Sequence, residues 1–96
     1  MKRKTPPVPQ VVEGRALGGY RVYLWFKDGV EGEVDLRPIL MPFRGVFAEL
    51  KDPKKFAKFW VDLEAATIVW PNGADVAPEV LYESVLRSHV PPSSGV

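Results

Sequence analysis

The sequence has no cysteine and a single histidine, His89. The absence of cysteine excludes disulfide bonds, thiolate metal ligands and a cysteine nucleophile. His89 follows Ser84 and Ser88 on the predicted last helix, whereas a serine–histidine–acid site requires a base held rigidly beside the hydroxyl. An interaction of His89 with the C-terminal end of that helix is therefore expected in place of a catalytic role.

Long hydrophobic runs are also missing. No stretch approaches the roughly 20 apolar residues of a membrane-spanning helix. The basic start, Met1 to Lys4, is followed by the proline-rich segment Thr5 to Pro9 instead of the apolar segment of a secretory signal. We therefore expect a cytoplasmic protein.

Charge of one sign is not in excess, because the formal net charge is +1. Such a balance gives no overall attraction to nucleic acid or to an anionic membrane. The carboxylates within residues 28–35 lie along a predicted turn and strand, which is typical of a solvated acidic edge and not of a hard-cation site. The glycines lie at predicted turns without the spacing of a phosphate-binding loop. The sequence therefore predicts a protein that is not an enzyme and holds neither a metal nor a cofactor.

The chain of 96 residues has the length of one domain. Its ends, residues 1–9 and 90–96, are rich in proline and polar residues and have little to bury, so we predict flexible tails there. The folded domain is expected to comprise residues 10–89.

An alternation of period two over residues 20–27 is typical of a β-strand. The residues expected to face the core are Tyr20, Val22, Leu24 and Phe26. Asp28-Gly29 then predicts a type I′ hairpin turn. The returning strand is predicted over residues 30–36, with Val34 and Leu36 inward.

Other local signals complete the secondary structure. The first strand is predicted over residues 10–16, with its turn at Gly18-Gly19, and two later strands are predicted over residues 59–64 and 67–70. Asp52-Pro53 is typical of a helix start, because aspartate accepts hydrogen bonds from free amides and proline fits the first helical position.

The last helix is predicted to begin at Pro78. The residues expected to share its apolar face are Leu81, Tyr82, Val85, Leu86 and His89. Together these elements predict an α+β fold, a small antiparallel, hairpin-based β-sheet of about five strands with two or three short helices packed on it.

The segment from Trp70 to Tyr82 combines a strand end, a tight turn and an amphipathic helix. Its distinctive residues are Trp70-Pro71-Asn72-Gly73, Asp75, Ala77-Pro78-Glu79 and Leu81-Tyr82. Other distinctive positions are Tyr20 to Phe26, Asp28-Gly29, Gly32, Val34-Asp35-Leu36, Phe47, Leu50, Phe56 and Thr67. On these residues the chain resembles the bacterial domain-of-unknown-function family 2442 over nearly the whole folded part.

The resemblance implies a small α+β domain that occurs alone or joined to a helix-turn-helix module. Family genes often neighbour another small uncharacterised domain, an arrangement similar to that of toxin–antitoxin pairs. The resemblance therefore implies a fold and a protein partner but no active site. One departure lies at Ala65-Ala66, because the family commonly has a glycine before the threonine that is Thr67 here.

The turn after Trp70 is the first candidate site. Trp70 is expected to fill the core, and Asn72 is expected to stabilise the turn by local hydrogen bonds. Asp75 and Glu79 fit a role at the start of the last helix better than a catalytic carboxylate pair. The functional alternative is a shallow pocket where the Asn72 amide and the amides near Ala77 face a carboxylate of a ligand or partner.

The second candidate is the strand face that carries Arg21, Tyr23 and Trp25. Because these residues alternate with core residues, they should point away from the main core. Either the last helix covers them and the sheet is buried on both faces, or they are exposed for binding. Tyrosine, tryptophan and arginine are the residue types that dominate interface hot spots.

We therefore expect a small protein-interaction module with a regulatory or antitoxin-like role, whose partner is another small protein or a second copy of the chain. The alternative hypothesis is a nucleic-acid-binding accessory protein. Its phosphate contacts would come from Lys2, Arg3, Lys4, Lys54, Lys55 and Lys58.

Overall fold

The computed structural model describes residues 9–88. Within them lie the strands β1 Val11–Gly18, β2 Arg21–Phe26, β3 Glu31–Asp35, β4 Trp60–Asp62 and β5 Thr67–Val69. The helices are α1 Arg37–Leu40, α2 Pro53–Phe56 and α3 Pro78–Ser88, and a 3-10 helix spans Gly45–Lys51. Apart from Pro9, the predicted tails lie outside the described residues, and so does His89.

The strands form two antiparallel sheets. The larger sheet has three strands in the order β1-β2-β3, and β4 pairs with β5 in a separate two-stranded sheet. The predicted α+β class is confirmed. The five strands do not form one continuous sheet. Strand β1 bonds to the β4–β5 hairpin only through its first residue, where the Val11 N–H donates to the Ala66 carbonyl at 3.0 Å.

The loop between β2 and β3 differs from the prediction. A type I′ turn requires positive φ at both central residues. Here Gly29 has a φ of 94°, whereas Asp28 is not among the residues with positive φ. The Phe26 N–H donates to the Val30 carbonyl at 2.8 Å, so the loop contains three residues, Lys27 to Gly29. The predicted two-residue turn is therefore wrong, although the hairpin itself is confirmed.

The core lies between the three-stranded sheet on one side and, on the other side, the helices together with the β4–β5 hairpin. The sheet and the residue that directly follows β3 contribute buried Val11, Val22, Leu24, Phe26, Val34 and Leu36. The opposing elements and loops contribute buried Leu40, Leu50, Phe56, Ile68, Trp70, Ala74, Val76, Leu81 and Val85. The alternation predicted for β2 is thus confirmed. Leu86 was expected on the apolar face of the last helix, but it is 44% exposed, because that face is narrower than the pattern indicated.

Helix α3 packs along β3 and fixes its exposed edge. The Ser88 hydroxyl donates to the Glu33 carbonyl at 2.9 Å, and the Tyr82 hydroxyl donates to the Asp28 carboxylate at 2.5 Å. The Tyr82 hydrogen bond lowers the pKa of Asp28 below its ordinary value. The Tyr82 ring meets Phe26 edge-on at 5.0 Å, which places the helix on the inner face of the sheet.

The turn between β4 and β5 holds an alanine in a left-handed conformation. Ala66 has a φ of 64°. Its N–H donates to the Asp62 carbonyl at 2.8 Å, and its carbonyl accepts from Val11, so hydrogen bonds on both sides fix this conformation. Left-handed backbone costs a residue with a Cβ about 1–2 kcal/mol, whereas glycine adopts it readily. Ala66 stands where the resembled family commonly has its glycine.

We expect Ala66→Gly to raise the free energy of unfolding by about 0.5–1 kcal/mol, because relief of the left-handed strain exceeds the added entropy of the unfolded chain. Ala65→Gly is the matched control. Ala65 has no positive φ, so glycine there should destabilise by about 0.5 kcal/mol. Urea unfolding followed by circular dichroism measures both changes. A destabilised Ala66→Gly variant would contradict the turn geometry.

Candidate interaction surface

The larger sheet has an outer face opposite the core, and β2 runs through its middle. We define the outer sheet face by Glu13, Arg15, Arg21, Tyr23, Trp25, Glu31, Glu33 and Asp35. The strand register places Trp25 between Glu13 and Glu31, and it places Tyr23 between Arg15 and Glu33. The two aromatic side chains of β2 therefore lie between charged side chains of both neighbouring strands.

Tyr23 and Trp25 form an aromatic pair on this face. Their ring centroids are 4.8 Å apart with the planes inclined at 50°. The guanidinium carbon of Arg15 lies 5.9 Å from the centroid of the Trp25 ring, within the range of a cation–π interaction. Both rings are half-buried, so each keeps part of its surface accessible.

Carboxylates of β3 bind the polar ends of Arg21 and Tyr23. Arg21 forms a salt bridge with Glu33. The Tyr23 hydroxyl donates to Oε1 of Glu31 at 2.9 Å, and this hydrogen bond raises the pKa of Tyr23. The Arg21 and Glu33 side chains remain 57% and 41% exposed, so their pair contributes little to stability and more to orientation. The outer sheet face is thus ordered before any partner binds.

Of the two predicted arrangements, coverage by the last helix is not the observed one. Leu81 and Val85 are buried in the core, and Tyr82 contacts Phe26 on the inner face. The sequence reasoning also missed the contribution of Arg15 to this site. Its alternation with Gly14 and Ala16 in β1 was visible, but the register that pairs it with Tyr23, and so brings its guanidinium diagonally over Trp25, was not.

Trp70 fills the core, as predicted. Its side chain is 1% exposed. The indole N–H donates to the Phe56 carbonyl at 2.8 Å, and the ring centroid lies 5.8 Å from that of Phe56 and 6.2 Å from that of Phe59. Trp70 therefore joins the end of β5 to α2.

Asn72 stabilises two segments at once. Its Oδ1 accepts from the Ala74 N–H at 3.0 Å, and its Nδ2 donates to the Val46 carbonyl at 2.8 Å. Both ends of the amide are thus engaged inside the protein, so the predicted pocket does not present this amide to a ligand. Asp75 and Glu79 are exposed, and neither carboxylate has a hydrogen-bond partner among residues 9–88. Glu79 lies in the first turn of α3, where its charge was expected to favour the helix start, whereas a hydrogen bond from Asp75 at that start is not observed.

Asn72→Ala is expected to lower the free energy of unfolding by about 1–2 kcal/mol, because both hydrogen bonds of the amide are lost. Asp75→Asn and Glu79→Gln are the matched controls, since both side chains are exposed and should change stability by less than about 0.5 kcal/mol. Chemical denaturation measures all three variants. Equal stability of Asn72→Ala and the two controls would contradict the observed role of Asn72.

Residues 9–88 contain no group of three or more acidic, histidine or cysteine side chains placed to hold a metal ion. No helix in this range combines the length and apolar character needed to cross a membrane. Among residues 9–88, the outer sheet face brings together tyrosine, tryptophan and arginine side chains, the types typical of protein interfaces.

A comparison with families of known proteins finds a match. The pattern of the family described as Protein of unknown function (DUF2442) matches residues 11–86. That range extends from the first residue of β1 to within two residues of the end of α3, so it includes the core, the outer sheet face and the turn after Trp70. No curated protein and no solved structure matches the chain significantly.

Proposed function

The chain belongs to the DUF2442 family, and from that premise we propose that it is a protein-interaction module whose contact surface is the outer sheet face. Its role is to bind, in the cytoplasm, and not to catalyse a reaction. The partner is another small protein or a second copy of the chain, and the role is regulatory, of the antitoxin-like kind that the family resemblance implies.

The ordered Tyr23–Trp25 pair is the observation that supports this proposal. Tryptophan, tyrosine and arginine are enriched among the residues that dominate binding energy. Here the rings contact each other, and Arg21 and the Tyr23 hydroxyl are held by neighbouring carboxylates. Because these side chains are already ordered, they lose less conformational entropy when a partner binds.

The charges of the outer sheet face favour a protein partner. The face carries both signs of charge, with guanidinium groups on β1 and β2 and with carboxylates on β1 and along β3, where Glu31 and Glu33 lie beside Trp25 and Tyr23. A mixed surface of this kind can match a protein surface of complementary pattern. The same carboxylates would repel a phosphate backbone laid along the aromatic pair.

The proposal is tested by co-expressing the chain with the neighbouring open reading frame, capturing the complex from native lysate and measuring the size of the purified chain by light scattering. We expect a defined heteromer or a concentration-dependent homodimer. A chain that stays monomeric at every concentration and captures no partner would contradict the proposal.

A second candidate function is favoured by the lysines at α2. Lys51, Lys54, Lys55 and Lys58 are all exposed within eight residues, a spacing that could contact successive phosphates. Nucleic-acid binding through them should weaken steeply as salt rises, because counterions are released on binding. A titration that shows no binding at low salt would remove this candidate.

A further inference from the structure

A groove lies beside the turn that follows β5, on the core side of the larger sheet. Its volume is about 190 Å³. The residues that line it are Glu49, Leu50, Lys55, Lys58, Trp70, Pro71 and Asn72. Leu50 and Trp70 are nearly fully buried, so they lie at its base, and the lining is mainly apolar.

Two hydrogen bonds between distant segments fix the shape of the groove. Asn72 holds the turn against the 3-10 helix through the Val46 carbonyl, at 2.8 Å. Trp70 holds the end of β5 against α2 through the Phe56 carbonyl, also at 2.8 Å. Since Lys55 precedes Phe56 directly in the chain, the second bond also fixes the backbone from which this lysine extends. The groove is therefore part of the folded structure.

The size of the groove limits what it can bind. Sites for cofactors and drug-sized ligands usually have volumes of about 300–1,000 Å³. A groove of about 190 Å³ is smaller than that range and suits one apolar side chain of a longer molecule. Most of such a side chain would leave water on entering it, which favours binding.

The charges at the rim distinguish among possible occupants. The three ion pairs observed within residues 9–88 all use arginine, in Arg21–Glu33, Arg37–Asp35 and Arg87–Glu83. Lys55 and Lys58 are exposed and form no ion pair in this part of the chain. Glu49 is the single carboxylate of the lining. The rim therefore carries an excess of positive charge that a neighbouring anion can neutralise.

We propose that this groove is a second binding site, separate from the outer sheet face, and that it takes a flexible peptide segment of a partner protein. One apolar side chain of the peptide enters the groove above Leu50 and Trp70. The residue that follows it is acidic, and its carboxylate lies between the ammonium groups of Lys55 and Lys58. Apolar contact supplies affinity, and the two lysines select an acidic sequence.

The test uses a capped hexapeptide of sequence glycine, serine, leucine, aspartate, serine, glycine, titrated into the nitrogen-15-labelled chain and followed by NMR. We expect saturable shifts of the Trp70 indole N–H and of the backbone amides near Lys55. Alanine in place of the peptide leucine should weaken binding about tenfold. Asparagine in place of the aspartate should weaken it about fivefold.

Protein variants separate the groove from general positive charge. The double variant Lys55→Gln/Lys58→Gln should bind the peptide about tenfold more weakly. Lys54→Gln is the matched control, because Lys54 is an exposed lysine that neighbours Lys55 in α2 but lies outside the lining. The peptide affinity of this variant should stay within about twofold of that of the unchanged chain. Trp25→Ala should leave peptide affinity unchanged, which makes this test independent of the outer sheet face.

Four results would overturn the inference. The first is the absence of saturable shifts at Trp70 at millimolar peptide. The second is equal affinity for the aspartate and asparagine peptides. The third is an equal loss of affinity in Lys54→Gln and in the double variant. The fourth is tighter binding of an oligothymidylate than of the peptide at the same lysines, which would assign this surface to nucleic acid.

Discussion

Trp70→Ala is expected to lower the free energy of unfolding by about 3–5 kcal/mol. The side chain is 1% exposed and contacts Phe56 and Phe59, so its removal leaves a cavity at the junction of β5 and α2. It also leaves the Phe56 carbonyl without the indole N–H that lies at 2.8 Å. Small domains have total stabilities of about 5–15 kcal/mol. The variant should therefore be partly or wholly unfolded at physiological temperature, as urea unfolding and circular dichroism would show.

Two further variants separate the effect of burial from the effects of ring size and hydrogen bonding. Trp60→Ala removes the same side chain from a position that is 48% exposed, and we expect a loss of less than about 1.5 kcal/mol. Trp70→Phe keeps an aromatic ring but loses the hydrogen bond, so its effect should lie between those of the two alanine variants. Similar losses in Trp60→Ala and Trp70→Ala would mean that Trp70 is not a core residue.

Trp25→Ala is expected to weaken association at least about 30-fold while the domain remains folded. Truncation of an aromatic hot-spot residue typically costs about 2 kcal/mol or more of binding free energy. Loss of the Tyr23 and Arg15 contacts should lower the free energy of unfolding by about 1–2 kcal/mol, less than the total stability of a small domain. Sedimentation measures association, and circular dichroism at the same temperature confirms folding.

Leu63→Ala is the control for Trp25→Ala. Leu63 is an apolar residue that is 73% exposed in the turn between β4 and β5, away from the outer sheet face. Its truncation should change association by less than about twofold. If the two variants associate alike, the contact surface lies elsewhere, whatever their stabilities.

The parts of the fold that depend on local pattern could be predicted from the sequence. The period-two alternation of β2 identified its buried side chains, because in a strand successive side chains point to opposite faces. Asp52 accepts from the Lys54 N–H at 2.9 Å, as the Asp52-Pro53 signal predicted. The bulk of Trp70 likewise indicated the core, because a large aromatic ring gains most from burial.

Features that depend on long-range contacts could not be predicted. Asn72 bonds to the carbonyl of Val46, 26 positions away, and no local pattern indicates that partner. Arg15 pairs with Tyr23 and reaches diagonally to Trp25, in a strand register that has an irregularity on either side of Arg15. The loop after β2 has three residues because Phe26 closes it by bonding to Val30, whereas a two-residue turn at Asp28-Gly29 would be closed by Lys27.

The candidate site likewise combines features that follow from local pattern with features that depend on long-range contacts. Its aromatic residues and their outward direction followed from the alternation, but their exposure depends on where α3 packs. That helix lies on the inner face, because Leu81 and Val85 enter the core and Tyr82 meets Phe26. An amphipathic pattern shows that a helix is covered on one side, but it does not show which face of a sheet provides the cover.

Hydroxyl-radical footprinting of the associated chain tests the central claim most directly. Trp25 and Tyr23 should be oxidised in the dilute chain and protected in the complex with its partner or at self-associating concentration. Trp60, which is 48% exposed on the other hairpin, serves as the internal reference and should be oxidised equally in both samples. Protection of Trp60 with unchanged oxidation of Trp25 and Tyr23 would contradict the assignment of the outer sheet face.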